Sequence, residues 1–182
     1  MASATAEVGT LDLREHILAC GAVKFGDFVL ASGARSSYYV DIKKASGSPS
    51  VLRAIGERIA PLARPYDAVA GMELGAVPIA VAAGLAADKP ILIVRKQAKA
   101  HGTGSRIEGE VRSGLRVLLV EDVTTSGGSS LEAVKVLREA GAVVDLAVVV
   151  VDRESGAEKL LGDANVKLLP LVRVSELMGA RR

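Results

Sequence analysis

Short, almost wholly apolar runs recur along this chain at residues 68–71, 91–94, 117–120, 143–151 and 166–172, with helical spacing between most of them. A strand without polar alternation is buried on both faces, and sheets of such strands are parallel and covered by helices on each side. Parallel neighbours need a crossover, which the helical stretches supply, and such crossovers are right-handed. The predicted fold class is therefore α/β, a doubly wound, mostly parallel sheet flanked by helices. Aromatic residues make up only 3% of the 182, so the core must be packed with aliphatic side chains. The whole chain, residues 1–182, is read as a single domain, long enough to bury a full sheet. In such sheets ligands bind at the carboxyl ends of the strands, so the loops after Gly71, Val94, Val120 and Val151 should face one site.

Start and stop signals place the helices. Residues 11–20 have helical spacing and stop at Gly21. Ser48 followed by Pro49 reads as an N-cap with proline at N1, and the helix behind it sets Leu52, Ile55 and Ile59 on one face. Residues 75–87 make a small-residue helix. Ser129 with Glu132 reads as a capping box for a helix ending at Gly141, and Ser155 with Glu158 starts another. Ahead of the core, residues 28–43 contain the β-prone Tyr38-Tyr39-Val40-Asp41-Ile42 between Ser/Gly turns. Residues 1–10 are small and polar and are expected to fray.

Several function classes are excluded. A net charge of +2 gives no field for nucleic acid or an anionic membrane. The most apolar run, residues 142–151, is far short of the ~20 residues of a membrane helix. Cys20 is the only cysteine, so it forms no intrachain disulfide and is expected to be a small buried residue in a reducing compartment. Residues 1–10 have neither the basic nor the apolar part of a signal peptide, and a cytoplasmic location is expected. His16 has no partner motif and is expected at the surface.

The segment Val117-Leu118-Leu119-Val120-Glu121-Asp122-Val123-Thr124-Thr125-Ser126-Gly127-Gly128-Ser129-Ser130 carries the most chemistry. A turn of glycines and small hydroxyl residues ahead of a helix offers backbone N–H groups and a positive dipole end to a phosphate. Two carboxylates just upstream repel a bare phosphate but suit sugar hydroxyls, so a phosphorylated sugar fits both halves. A turn that merely caps a helix would use the same residue types.

That segment resembles the phosphoribosyl-diphosphate (PRPP) signature of the type I phosphoribosyltransferases. Three further segments are similar to those of the orotate phosphoribosyltransferase family: Phe28-Val29-Leu30-Ala31-Ser32-Gly33 through Ser37-Tyr38-Tyr39-Val40-Asp41, the loop Arg95-Lys96-Gln97-Ala98-Lys99-Ala100-His101-Gly102, and Asp152-Arg153 after a strand. The resemblance implies the type I fold with a small N-terminal hood over residues 11–44. It also implies transfer of ribose 5-phosphate from PRPP to N1 of orotate, giving orotidine 5′-monophosphate and pyrophosphate in pyrimidine biosynthesis. Such a displacement passes through an oxocarbenium-like transition state, so both reactants must be held in line while charge on the leaving group is stabilised.

On this resemblance Thr124, Thr125, Ser126, Gly127, Gly128 and Ser129 cradle the 5′-phosphate, and Val123 belongs to the PRPP-binding set. Glu121 and Asp122 accept hydrogen bonds from the ribose hydroxyls, with Asp122 also counted as catalytic. The cationic loop is a mobile lid that excludes water. Arg95, Lys96, Lys99 and His101 would meet the pyrophosphate across a homodimer interface, with Lys99 and His101 as the catalytic candidates. Arg153 would grip the orotate carboxylate and Thr125 touch the ring. Tyr38 and Tyr39 are candidates to wall the base site, but adjacent strand residues face opposite ways, so at least one is expected to serve packing only. Mg²⁺ is implied because PRPP is used as its magnesium complex, the ion held by diphosphate oxygens and water rather than by a protein cage. Many bacterial members carry lysines where this chain has Ala31 and Gly75, so the pyrophosphate charge would fall more heavily on Mg²⁺ and the lid, or on Lys43 or Lys44. A purine or uracil phosphoribosyltransferase, and a PRPP-sensing transcription regulator, are the rival readings. The short N-terminal segment leaves little room for a DNA-binding module.

Overall fold

The computed structural model describes residues 12–29, 35–97 and 105–179. The N-terminal part supplies α1 (Leu13–Ala19), the antiparallel pair β1 (Val23–Val29) and β2 (Arg35–Val40), and the short α2 (Ile42–Ser46). There follow α3 (Pro49–Ala63), β3 (Ala68–Met72), α4 (Ala76–Ala87), β4 (Ile91–Val94), β5 (Ile107–Glu108) and β6 (Val117–Thr124). The chain continues through α5 (Gly128–Glu139), β7 (Leu146–Asp152), α6 (Ala157–Asp163), β8 (Lys167–Arg173) and α7 (Val174–Gly179).

Six strands form the main sheet in the order β5-β4-β3-β6-β7-β8. All neighbours are parallel except β4 and β5. Strand order reverses between β3 and β6, which opens a crevice at their carboxyl ends. The expected fold class is thus borne out.

Because side chains alternate across a strand, each face of the sheet builds its own core. Val69, Leu118, Val120 and Val148 pack on one face with Ile55 and Ile59 of α3 and Ile79 of α4. Ala70, Leu119 and Val149 pack on the other with Val134 and Leu137 of α5 and Leu161 of α6. These side chains are essentially inaccessible, and each larger one contributes about 1.5–3 kcal/mol by leaving water.

Several local expectations need correction. Helix α5 is capped by Gly127, with no side-chain cap bond. The chain enters it at φ 84°, and a Cβ there would lie 3.1 Å from Ala157 Cα, so only glycine makes this turn. Ser129 therefore falls inside the helix, and Glu132 reaches Arg106 instead. Helix α6 likewise begins after Gly156, while the Ser155 hydroxyl donates to Arg153 O. Ser48 does sit at the N-cap of α3, but its hydroxyl pairs with that of Ser50. Strand β7 starts at Leu146, because Val143 is 45% exposed and makes only an isolated bridge to Arg116. Helix α5 ends at Glu139, ahead of Gly141, and β2 ends at Val40, after which Ile42 opens α2.

Candidate active site

The crevice at the carboxyl ends of β3 and β6 holds two adjoining concavities. One, of 260 Å³, is lined by residues 123–130 and Glu121. Its wall is the turn leading into α5, whose first-turn N–H groups have no partners within the helix. This is the arrangement expected of a phosphate cradle, and it brings together Val123, Thr124, Thr125, Ser126, Gly127, Gly128 and Ser129. The second, of 320 Å³, is lined by Lys43, Glu73, Gly75, Lys96, Glu121, Asp122 and their neighbours.

Glu121 belongs to both concavities. It is 7% exposed, accepts a hydrogen bond from Ser130 Oγ at Oε2 (3.2 Å), and accepts the Asp122 N–H at Oε1 (3.3 Å). Burial first, and the negative charge of Asp122 second, push its pKa up to about 8. Asp122 leans over the turn between β3 and α4: a Cβ on Gly75 would come within 2.6 Å of Asp122 Cγ. A side chain at Gly75 and this carboxylate cannot occupy the same place, which accounts for glycine there. Cationic charge reaches the second concavity from Lys43 of α2 and from Lys96. Lys44 instead points to Gly21, where a Cβ would lie 3.1 Å from its Nζ.

Lys96 is held by its backbone. Its N–H donates to Glu73 Oε1 at 2.7 Å, and its carbonyl accepts from Arg106 Nη2 at 2.8 Å. Arg106 also donates through Nε and Nη2 to Arg95 O and through Nη1 to Glu132 of α5 (2.6 Å). The stem of the cationic loop is thereby tied to the helix behind the phosphate cradle. Arg95 pairs with Glu108 at 3.3 Å and lines neither concavity. Lys99 and His101 lie outside the described residues, as does Ala31.

Arg153 leaves the end of β7, where its N–H donates to Thr124 O. Neither acidic neighbour pairs with it. Asp152, 2% exposed, faces Arg173 at 3.6 Å, and Glu154 accepts the Ser175 N–H. The Arg153 guanidinium lies 5.2 Å from the centre of the Tyr38 ring, within cation–π range. Its Nε is buried with no hydrogen-bond partner among the described residues. Tyr39 turns away, 41% exposed and against Phe28 with ring centroids 5.8 Å apart. The two adjacent tyrosines thus differ, Tyr38 lying under Arg153 and Tyr39 turning away.

Sequence reasoning missed Glu73, Ser130 and the clamping role of Arg106. Each acts through a partner 9 to 26 residues away in the chain, and no local pattern marks such pairs.

A family model for the phosphoribosyl transferase domain matches residues 50–170. An orotate phosphoribosyltransferase of Methanoculleus marisnigri is 57% identical over 162 residues, 89% of this chain and 94% of that protein. The crystal structure of orotate phosphoribosyltransferase from Aeropyrum pernix is similar with a TM-score of 0.82 and 35% identity, over 92% of this chain and 97% of that one. The Mycobacterium tuberculosis H37Rv orotate phosphoribosyltransferase in complex with PRPP is similar with a TM-score of 0.76 and 31% identity, over 92% and 99% of the two chains.

Proposed function

This chain belongs to the orotate phosphoribosyltransferase family, and we propose from that premise that it transfers ribose 5-phosphate from PRPP to N1 of orotate. The products are orotidine 5′-monophosphate and pyrophosphate, a step of pyrimidine biosynthesis. The observation that carries the reading is the pair of adjoining concavities sharing Glu121, one walled by a helix N-terminus and the other by carboxylates and lysines. Phosphate, ribose and diphosphate follow one another in PRPP in the order these walls provide.

The 5′-phosphate lies on Thr124, Thr125, Ser126, Gly127, Gly128 and Ser129, with Val123 at the edge. Glu121 and Asp122 accept from the ribose hydroxyls, and the negative charge of Asp122 favours the cationic ring of the transition state. Mg²⁺ enters as part of the substrate, on diphosphate oxygens and water. Lys96 and Lys43 meet the departing diphosphate, joined by Lys99 and His101 from the loop. Lys43 supplies the charge that Gly75 cannot. Arg153, whose Nε has no partner among the described residues and whose guanidinium lies over the Tyr38 ring, holds the orotate carboxylate, and Thr125 touches the ring.

The working enzyme is a homodimer that shares the cationic loop between subunits. The outer face of α3 and α4 supports this, for Leu85 is 76% and Val81 37% exposed beside a 620 Å³ apolar groove. A cytoplasmic location accords with the single free cysteine, Cys20. No helix among the described residues is long and apolar enough to cross a membrane.

The test is loss of orotate absorbance on addition of PRPP and Mg²⁺. Arg153→Ala should raise the KM for orotate by about ten- to a hundredfold, the range of a hydrogen bond to a charged group, with PRPP affinity unchanged. No orotate consumption by the wild type would sink the activity, and collapse of PRPP affinity in the variant would sink the placement of the orotate pocket.

A further inference from the structure

We propose that Ser130 is a positioning residue for ribose recognition, its hydroxyl holding the Glu121 carboxyl at the boundary between the two concavities. The inference rests on the PRPP reading of the site, in which the residues touching ligand end at Ser129. Ser130 is 2% and Glu121 7% exposed, so solvent fixes neither the rotamer nor the charge of the carboxyl. Its two oxygens are fixed from within, Oε2 by Ser130 Oγ and Oε1 by the Asp122 N–H, and in the ionised form each keeps a lone pair for a sugar hydroxyl.

Ser130 is the third residue of α5. The helix whose first turn faces the phosphate therefore also delivers the hydroxyl that sets Glu121. Phosphate binding and ribose recognition are built on one rigid element, which fixes the distance between them.

The charge of Glu121 depends on the same contact. The charged groups around it are Asp122 on its own strand, Glu73 of the turn after β3, Lys43 of α2 and Lys96 beyond β4. Burial and Asp122 hold the proton on Glu121, and the bond from Ser130 opposes them by favouring the carboxylate. Without the hydroxyl, the proton should leave only at higher pH.

The experiment is a pH series of kcat/KM for PRPP on the dimeric enzyme and its Ser130→Ala variant, with the KM for orotate and the thermal midpoint measured beside it. The acid limb reports ionisation in the free enzyme, and titration of PRPP itself is common to both proteins. In the variant that limb should move to higher pH. The loss should be greatest near pH 7, up to about tenfold, and should narrow toward pH 9. The KM for orotate should stay within about twofold, since Glu121 makes no contact with the acceptor. An equal loss at every pH would show that Ser130 merely supports the fold, and no loss would show that Glu121 needs no such support. Either result overturns the proposal. Absence of PRPP-dependent orotate consumption in the wild type would overturn the functional reading beneath it.

Discussion

The carboxyl of Glu121 binds a proton more tightly in the folded chain than in the unfolded one, because burial and the adjacent Asp122 both disfavour its charge. Its pKa moves from 4.5 to about 8, so its contribution to stability is fully present below pH 4.5 and is lost as pH rises through about 8. Glu121→Gln keeps the neutral form at every pH. Its amide oxygen can take the Asp122 N–H while the NH₂ donates to Ser130 Oγ. The variant should match the wild type near pH 4 and be the more stable ligand-free protein at pH 9, by about a few kcal/mol at most. Urea unfolding at both pH values measures this, and a variant less stable at pH 9 would contradict a buried, protonated Glu121. On the proposed role of Glu121 at the ribose, the same substitution should weaken PRPP binding while it strengthens the fold.

Among the elements, the stem of the cationic loop stands apart, because two side chains hold it, Glu73 at the Lys96 N–H and Arg106 at the carbonyls. Arg106 ties the carbonyls of Arg95 and Lys96 to Glu132 of α5, and so fixes where the loop leaves the sheet relative to the phosphate cradle. Arg106→Ala should lower kcat/KM for PRPP by roughly 10²-fold, the penalty of a misplacement of about 1 Å. Glu132→Gln, which leaves the carbonyl contacts intact, should lower it much less, and steady-state kinetics on both variants would decide. Equal losses would place the essential contact on α5 rather than at the stem. Elements are also where the sequence was read best and worst. The core strands were legible because burial on both faces leaves an unbroken apolar run. The caps were not, since a left-handed glycine at Gly127 or Gly156 moves a helix start by a residue or two and takes the neighbouring serine out of its capping place. Strand β1 was hidden by Gly26-Asp27, which looks like a turn but lies at a register shift within the pairing with β2. The acids, the hydroxyl turn and Arg153 could be found from local pattern. The contacts that position them, from Ser130 to Glu121 and from Arg106 to Glu132, exist only once the chain has closed.

At the scale of the whole molecule, the sheet separates two cores and leaves unequal outer faces. Helices α5 and α6 cover one side, with the hydroxyl and glycine turn of residues 124–129 at the top of α5. On the other side α3 and α4 cross, and α4 presents Leu85 and Val81 to solvent beside Leu52 and Ala82. An apolar strip of this kind flanked by Arg53 and Glu57 suits a two-fold interface, because each charge can face its opposite on the second copy. Leu85→Asp places an uncompensated carboxylate in the middle of that strip. Light scattering after size exclusion should give twice the chain mass for the wild type and a single chain mass for the variant. The thermal midpoint should fall in the variant, since association no longer supports the fold, while circular dichroism keeps its α/β form. Orotate transfer should be nearly abolished if the cationic loop serves the neighbouring subunit. Dimers that persist in Leu85→Asp would move the interface to another face. A monomeric variant with undiminished kcat would instead show that each subunit closes its own site.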